Sequence, residues 1–401
     1  MTKEEKVYYR THFKCFYKRS DLFALFVESG LTRFSNINST IAFIVPSVIH
    51  SNLSYKPLRS LILDNHWLHE VCYTGGKVFD TPTIDTTILI CQKPESSQIR
   101  LKNAIDFAHP TISEVSADHF TAYQNIISVE NGNKASIFAK MLANSTFHYV
   151  TEDFSVFQGI VTGNNTAFIF ETAANADIHG IEKELLHPLC HGRDIERFAV
   201  RSRERRILYL TSDNDIRKTT NAEMWLKPFK AELSKRREVV RGIIPWYSLQ
   251  WPRVKSELDT KEKILVQNTR NESLPIRIVA ALDNQGVYAT QGVNFIIPSS
   301  GKVTMRFLLG ILNSKLINFL FQTKFLNLAI KAEYLKQICL PPEDPAIVSI
   351  VEHILKAKEA DLNTDTSVLE AEINKMVYAL YGLTKDEITL VEESTATADT
   401  E

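Results

Sequence analysis

A continuous apolar run, IAFIVP at residues 41–46, limits the possible folds of this chain more than any other segment. Five apolar residues followed by a proline are typical of a strand that is buried on both faces of a sheet. The preceding segment, residues 21–31, has apolar residues at helical spacing and begins with Asp21, a plausible N-cap. Three further segments continue the alternation, one helix and two strands, at residues 56–63, 67–73 and 85–91. This order predicts an α/β fold that ends a doubly wound sheet.

The length of 401 residues is two to three times that of a usual domain. Periodicity weakens between residues 93 and 123, where prolines and serines favour a connector. Short β-like runs at 157–298 then predict a strand-rich second domain, and helical spacing returns at residue 306. We therefore expect three domains, at residues 1–105, 106–342 and 343–401, the last an acidic helical tail.

Charge is distributed unevenly although the formal net charge is only -1. Residues 191–277 contain 20 Lys or Arg and 12 Asp or Glu, a net of +8, whereas residues 343–401 contain 4 and 14, a net of -10. A basic segment that also contains tryptophans and tyrosines has the composition of a nucleic-acid surface. The alternative is an ordinary solvated face with aromatic residues in the core.

Cysteine spacing and the N-terminal sequence exclude several classes of protein. The five cysteines are scattered and never spaced as C-x-x-C, so neither a disulfide framework nor a metal site is indicated. No apolar segment is long enough for a signal peptide or a membrane span. A hydrophobic content of 44% excludes a disordered chain. We expect a globular protein of the reducing cytoplasm.

Several segments, in their order, resemble the C-terminal part of the TaqI-like adenine-specific DNA methyltransferases, including the fused type IIG restriction-modification enzymes. The first part of the resemblance lies in SDLFALFVESGL, STIAFIVPSVIHSN and GGKVFDTPTIDTTILI. The remainder is similar to the family's target-recognition domain and its usual ending, in FQGIVTGNNTAFIFE, LLHPLCHGRDIERF, WPRVKSELDTKEKILVQN, GVNFIIP, LLGILNSKLINFLF and VYALYGLTKDEI. The resemblance implies a partial Rossmann-like methyltransferase domain, an α+β target-recognition domain and a helical tail.

The resemblance also implies roles for individual residues. Such enzymes transfer a methyl group from S-adenosylmethionine to the amine of an adenine that is rotated out of the duplex. By position, Phe79 is the aromatic residue that stacks on the extruded base; the alternative is that it packs in the core of its loop. Asp21 matches a segment on the cofactor side; the alternative is a plain helix cap. For contacts with double-stranded DNA we expect Arg193, Arg253, Lys255 and Arg270.

Two motifs of the family are absent from the sequence. The glycine-rich donor-binding turn and the catalytic Asn-Pro-Pro-Tyr motif would both precede residue 21, and neither occurs. We therefore expect a truncated product, a split enzyme or a fragment that does not methylate alone and that works with a missing or separate N-terminal catalytic half. The run at 41–46 would then lie at a sheet edge that a partner could cover.

The alternative function is a non-enzymatic DNA specificity subunit that acts in trans on a separate catalytic chain. A third hypothesis, an unrelated α/β hydrolase, has little support because the sequence has no G-x-S-x-G, Walker or H-E-x-x-H motif.

Overall fold

The structure is a computed structural model. It describes residues 2–17, 21–36, 38–50, 53–75, 78–79, 86–93, 98–116, 120, 125, 127, 133–142, 147–269, 276–299, 301–323 and 329–396. The chain divides into two compact units. The first comprises Met1–Ser145, Leu320–Asn327 and Tyr381–Glu393, and the second comprises Thr146–Phe319, Leu328–Leu380 and Ser394–Glu401.

The first unit is built on one mixed sheet. Its strands are β1 (Thr40–Pro46), β2 (Leu68–Gly75), β3 (Thr86–Gln92), β4 (Gln98–Asn103) and β5 (Thr111–Ser116). Its first helices are α1 (Lys3–His12), α2 (Leu22–Thr32), α3 (Lys56–Asp64) and α4 (Asn133–Leu142). The strand order is β1-β3-β2-β4-β5, in which β2 and β4 are parallel and the other neighbours are antiparallel. The expected helix–strand alternation is confirmed.

Strand β1 forms as expected, but the expectation that both of its faces are buried is wrong. Val45 is buried, whereas Thr40, Ala42 and Ile44 are exposed and Ile44 retains 45% of its accessible surface. The reason is its position: among the described strands, β1 lies at the end of the sheet and pairs with β3 alone. An apolar run that would suit a central strand therefore occupies an edge.

The expected connector at 93–123 contains two strands, which the sequence analysis missed. Both β4 and β5 extend the first sheet, so the boundary predicted between residues 105 and 106 falls between two strands of one sheet. In β4 only Ile99 and Leu101 are buried, and β5 has no buried residue. Short strands with so few apolar residues give little periodicity. The functional division into three domains stays a prediction.

The second unit contains most of the remaining elements. Its strands are β6 (His148–Tyr149), β7 (Phe154–Gln158), β8 (Ile169–Phe170), β9 (Leu186–Cys190), β10 (Ile195–Glu196), β11 (Ala199–Val200), β12 (Arg205–Leu208), β13 (Lys263–Gln267), β14 (Ala280–Asp283), β15 (Tyr288–Ala289), β16 (Val293–Pro298) and β17 (Cys339–Leu340). The helices up to residue 258 are α5 (Val150–Asp153), α6 (Asn165–Phe168), α7 (Ala173–Ile178), α8 (Thr220–Leu226), α9 (Lys230–Leu233), α10 (Arg237–Val240) and α11 (Lys255–Leu258).

Two four-stranded sheets share one apolar core in this unit. Their orders are β15-β9-β12-β8 and β14-β13-β16-β7. Buried side chains of both sheets, such as Leu189, Ile207, Leu265 and Phe295, belong to one cluster. The prediction of a strand-rich region at 157–298 is therefore confirmed.

Helices dominate after residue 304, as the returning helical pattern predicted. They are α12 (Met305–Asn313), α13 (Lys315–Thr323), α14 (Ala332–Leu335), α15 (Pro345–Ala360), α16 (Ser367–Leu380) and α17 (Lys385–Ser394). The helical pattern that begins at residue 306 forms two helices, α12 and α13, because Ser314 between them has an extended backbone. In the part of the chain that the structure describes, no helix combines the length and apolarity that a bilayer crossing requires.

Candidate nucleic-acid interface

A tight turn between β15 and β16, residues 290–292, is packed closely against two glycines. A Cβ added to Gly159 would lie 2.3 Å from the carbonyl oxygen of Thr290, and one added to Gly192 would lie 3.0 Å from that of Gly292. Such distances leave no room for a side chain at Gly159 and little at Gly192. Asn268 also binds the turn, because its backbone N–H donates to the Gly292 carbonyl at 2.9 Å. Three separate parts of the chain, at Gly159, Gly192 and Asn268, thus contact the 290–292 turn.

Arg193 follows Gly192 directly and is exposed. Its neighbour Asp194 is buried and fixes the local 3₁₀ turn, since its carboxylate accepts from the His191 backbone N–H and from Arg205, each at 2.7 Å. No described side chain pairs with Arg193. The sequence therefore places an exposed cation, with no described ion pair, beside the 290–292 turn.

Arg253 lies beside Gly159 and is half-buried. Its Nε donates to the Gly159 carbonyl at 2.9 Å, and its own carbonyl accepts from the Tyr209 hydroxyl at 3.0 Å. Burial lowers the pKa of Arg253 from its usual value. Its φ of 68° is in the left-handed region, which is uncommon for a residue with a side chain. These bonds hold the guanidinium in place, while its two terminal nitrogens have no partner among the described residues.

Lys255 begins α11 and is exposed. Its Nζ lies 2.7 Å from Oδ2 of Asp259 and 3.4 Å from the hydroxyl of Tyr288, which itself donates to Asp259 at 2.6 Å. Burial tends to raise the pKa of Asp259, but the hydrogen bonds from Lys255 and Tyr288 outweigh it and leave that pKa below the usual range. The charge of Lys255 is therefore partly neutralised within the protein.

Aromatic rings pack against one another beside Arg253 and Lys255. The ring of His187 stacks on Tyr288 with centroids 4.3 Å apart, and it meets Tyr209 edge-on at 5.7 Å. Burial, reinforced by the charge of Lys255, lowers the pKa of His187 to about 4, so this histidine is neutral at pH 7. His187 is thus a packing residue, and among the described residues no group of His, Cys, Asp and Glu could hold a metal ion.

The structure thus places three of the four expected DNA contacts around the Tyr288–Ala289 strand and the turn that follows it. Arg193 and Arg253 adjoin the glycines that contact the turn, and Lys255 reaches Tyr288. The fourth, Arg270, lies outside the described residues.

Most arginines between residues 197 and 217 are already paired, which the sequence charge count did not reveal. Arg197 pairs with Glu370, Arg201 with Glu196, Arg205 with Glu171 and Arg217 with Asp215. By contrast, Lys235, Arg237 and Arg241 are exposed and have no ion-pair partner among the described residues. The sequence analysis missed these three, although their run KRREVVR carries the signal.

Phe79 and Asp21 belong to the first unit and are considered separately. Phe79 lies in the connection between the antiparallel strands β2 and β3, and 47% of its surface is exposed. That exposure disagrees with the alternative in which it packs in a loop core. Asp21 occupies the N-cap position of α2 but makes no side-chain capping bond; its Oδ2 accepts from the Tyr55 hydroxyl at 3.2 Å. The carboxylate lies beside Tyr55, whose pKa is raised by burial and by Asp21.

S-adenosylmethionine would need more than these residues provide. Its expected site on this chain reduces to Asp21, one of whose oxygens is already hydrogen-bonded to Tyr55. One exposed carboxylate at the start of helix α2 provides neither a glycine-rich turn nor a pocket for the rings of this large zwitterionic donor. The described residues therefore do not fit the donor on their own.

Two family models match the sequence. Residues 1–79 match the Eco57I restriction-modification methylase, and residues 187–340 match the TaqI-like C-terminal specificity domain. The expectation of a methylase segment followed by a TaqI-like specificity domain is confirmed. Among curated proteins, none matches this sequence.

Structural comparison gives the same fold. The Type IIL restriction-modification enzyme MmeI, in a structure in complex with DNA, is similar with a TM-score of 0.62 at 14% identity, over 98% of this chain and 55% of MmeI. The type IIG restriction endonuclease BpuSI has a TM-score of 0.41 at 13% identity, over 98% of this chain and 52% of that chain. The ATP-dependent Type ISP restriction-modification enzyme LlaBIII bound to DNA has a TM-score of 0.43 at 9% identity, over 89% of this chain and 28% of that chain. The chain thus spans about half the length of MmeI, whose likeness at this identity shows the fold alone.

Proposed function

We propose that this chain, in which an Eco57I-like methylase segment precedes a TaqI-like specificity domain, is the DNA-recognition half of a site-specific adenine DNA methyltransferase. It serves restriction-modification or phage defence and acts on double-stranded DNA in the cytoplasm. Its catalytic half, which carries the donor-binding and Asn-Pro-Pro-Tyr motifs, is supplied in the same or in a separate chain.

One observation carries the proposal. Inside the matched specificity segment, Arg193, Arg253 and Lys255 gather around Tyr288 and the 290–292 turn. Arg253, whose guanidinium donates to a backbone carbonyl, suits phosphates and guanine edges, because an ordered guanidinium loses little entropy on binding. MmeI, which shares the fold, was solved with DNA, and this supports the same class of partner here.

Phe79 fits the base-extrusion step of the proposed reaction. An adenine amine inside a duplex cannot reach a methyl donor, so the base must leave the stack and be held by an aromatic face. An exposed phenylalanine in the β2–β3 connection is available for that contact. We infer that Phe79 stacks on the extruded adenine once the catalytic half is present.

The methyl donor, S-adenosylmethionine, belongs to the complete enzyme. This chain alone is expected to bind it weakly or not at all and to transfer no methyl group. Calorimetric titration of the isolated chain checks this point; a dissociation constant in the low micromolar range, about -8 kcal/mol, would contradict it.

The edge of the first sheet suits a partner that carries the catalytic half. Strand β1 ends the described sheet, Ile44 is exposed on it, and Phe26 of the neighbouring helix α2 keeps 67% of its surface. Edge amides and apolar side chains are the features that a further strand covers. The same features favour the second candidate function, a specificity subunit acting in trans; restored methylation on mixing two separate chains would distinguish it.

The test of DNA recognition is the salt dependence of binding. If about five phosphates are neutralised, log affinity against log salt should have a slope of about -4 to -5. Arg193→Gln should reduce its magnitude by about one, since each lost phosphate contact removes about 0.9. Arg217→Gln is the matched control, because that exposed arginine is paired with Asp215. Binding that does not respond to salt would contradict the proposal.

The Phe79 assignment is tested in the reconstituted enzyme. Phe79→Ala should lose stacking worth about 1 to 3 kcal/mol, whereas Phe79→Trp should retain much of the activity. Fluorescence of 2-aminopurine at the target position reports base extrusion separately from duplex affinity. Unchanged extrusion and methylation in Phe79→Ala would show that the residue has another role.

A further inference from the structure

Arg236 fixes the start of a short segment without buried residues, residues 235–243, which we call the arm. The half-buried guanidinium donates to four carbonyls: Leu233 at 3.0 Å, Thr162 at 3.2 Å, Trp246 at 2.7 Å and Ser248 at 2.9 Å. Burial lowers the pKa of Arg236 from its usual value. The two ends of the arm are thus tied to each other and to the strand-rich core through one side chain.

The arm itself is a single helical turn with a defined end. Helix α10 is closed by Gly242, whose N–H donates to the Val239 carbonyl, and by Ile243, whose N–H donates to that of Glu238. Gly242 has a φ of 67°, the left-handed value that this type of helix ending requires. The arm is therefore an element with a defined backbone.

Two large apolar side chains of the arm are exposed. Val240 keeps 73% and Ile243 keeps 58% of its accessible surface. In this helix ending the residue at the position of Ile243 usually packs on the residue at the position of Glu238. Here Glu238 is a carboxylate that accepts from Gln250 Nε2 at 2.9 Å, so Ile243 lacks its usual apolar contact.

The cations of the arm are also uncommitted. Lys235, Arg237 and Arg241 are exposed, and no described acidic side chain pairs with them. Residues 227–241 contain six Lys or Arg against Glu232 and Glu238, a net charge of +4. Elsewhere in this unit, exposed arginines such as Arg201 and Arg217 have their own carboxylates. The arm thus presents concentrated positive charge that the protein does not balance.

We propose that the arm is a second DNA-contacting element, distinct from the cluster at the 290–292 turn. Lys235, Arg237 and Arg241 bind phosphates, and Val240 and Ile243 pack on sugars and base edges in a groove. Exposed cations that flank exposed apolar side chains on one helical turn fit duplex DNA, whose phosphates border apolar sugar and base surfaces. The inference rests on the proposed function, because it assumes that duplex DNA is the ligand.

The charge part is tested with the full chain and a labelled mixed-sequence DNA duplex. The variant Lys235→Gln/Arg237→Gln/Arg241→Gln should reduce the magnitude of the salt slope by about 2 to 3. The control variant Lys183→Gln/Lys218→Gln/Lys261→Gln removes the same charge from exposed lysines of the same unit that have no described ion pair. It should change the slope by less than one. Equal effects of the two variants on the salt slope would overturn the proposed role of the arm, because the change in net charge alone would then explain them.

The apolar part is tested at fixed salt. Val240→Ser/Ile243→Ser should weaken duplex binding about tenfold with an unchanged salt slope, since no cation is removed. Ile178→Ser, at another exposed apolar position, should have no effect. Unchanged affinity in the double variant would overturn this part of the proposal, provided that thermal melting shows folded protein.

The outcomes separate the two levels of inference. If the wild-type chain binds DNA without salt dependence, the proposed function fails and the arm fails with it. If the wild type shows a steep slope that the arm variants leave intact, only the arm fails. Arm variants that alter self-association in analytical ultracentrifugation, but not DNA binding, would assign the arm to a protein contact and overturn the proposal.

Discussion

The segment at residues 197–217 and the arm at 235–243 are both rich in basic residues, but they differ in whether those residues form ion pairs within the protein. In the first, Arg197, Arg201, Arg205 and Arg217 all pair with carboxylates, some near in sequence and one 173 residues away. In the arm, the outer cations have no such partner among the described residues. A net charge summed along the sequence therefore marks a region, whereas pairing in space decides which cations are available to a ligand.

The sharpest form of this comparison lies in two adjacent residues, Arg236 and Arg237. Arg236→Ala should destabilise the protein by about 3 to 5 kcal/mol, because it leaves the carbonyls of Trp246 and Ser248 without a described donor and removes the other two of the four bonds that the guanidinium donates. Arg237→Ala should change stability by no more than about 0.5 kcal/mol, since an exposed residue with no partner is removed. Urea denaturation of the two variants measures both. Similar losses of unfolding free energy would show that Arg237 contributes to the fold as much as Arg236 does.

Acid should affect the packed cluster and the arm differently. The pKa of His187 is about 4 in the folded protein against an ordinary value of about 6.5, so the unfolded chain binds the extra proton. The stability contributed by neutral His187 is present above pH 6.5 and is lost as pH falls towards 4. The arm contains no histidine.

This acid sensitivity can be assigned by substitution. His187→Phe keeps a ring stacked on Tyr288 and removes the titrating group, so it should flatten the decline of melting temperature between about pH 6.5 and pH 4. Lys255, Asp259 and Lys263 also act on the pKa of His187. His50 and His191, whose pKa values are also lowered by burial, should contribute to the decline that remains in the variant. An unchanged decline in His187→Phe would contradict the assignment.

Periodicity predicted the elements with strong apolar patterns and missed those with weak ones. Helix α2 and strands β1–β3 were found, since each has a run of apolar residues. Strands β4 and β5 were missed because backbone pairing, with little side-chain burial, forms them. The edge position of β1 was expected only from the motifs that the sequence lacks, because the residues of the strand do not specify which strands are its neighbours.

For the candidate site, the sequence indicated candidate residues, but it did not predict the hydrogen-bond and ion-pair partners of those residues. Arg253 was chosen from the WPR motif, but its hydrogen bond to Gly159 spans 94 residues and needed the fold to be seen. Likewise Lys255 was expected to contact DNA, and the fold places Asp259 and Tyr288 against it. Long-range partners of this kind have no signature in charge or spacing.

The shape of the arm can be perturbed without changing its charge. A Cβ at Gly242 would meet no atom within 4 Å, so Gly242→Ala is sterically free, but the φ of 67° remains unfavourable for alanine. The cost should be about 1 kcal/mol, and it should fall on the arm's helix ending. Hydrogen exchange of the Gly242 and Ile243 region, compared with the core strands, measures it. A loss distributed over the whole protein would mean that the arm does not fold as a separate turn.

The smallest expected effect compares one paired arginine with one unpaired arginine. Arg237→Gln should reduce the magnitude of the salt slope by about 0.9, the value for one phosphate contact. Arg201→Gln removes the same charge, but Arg201 lies 2.6 Å from Glu196, so its loss also releases a carboxylate and should change the slope by less than about 0.5. Titrations over several salt concentrations resolve the difference, because the slope is insensitive to errors in active concentration that affect every point equally. If Arg201→Gln has the larger effect, the ion pair opens when DNA binds, and pairing in the free protein is then a poor guide to which cations meet the phosphates.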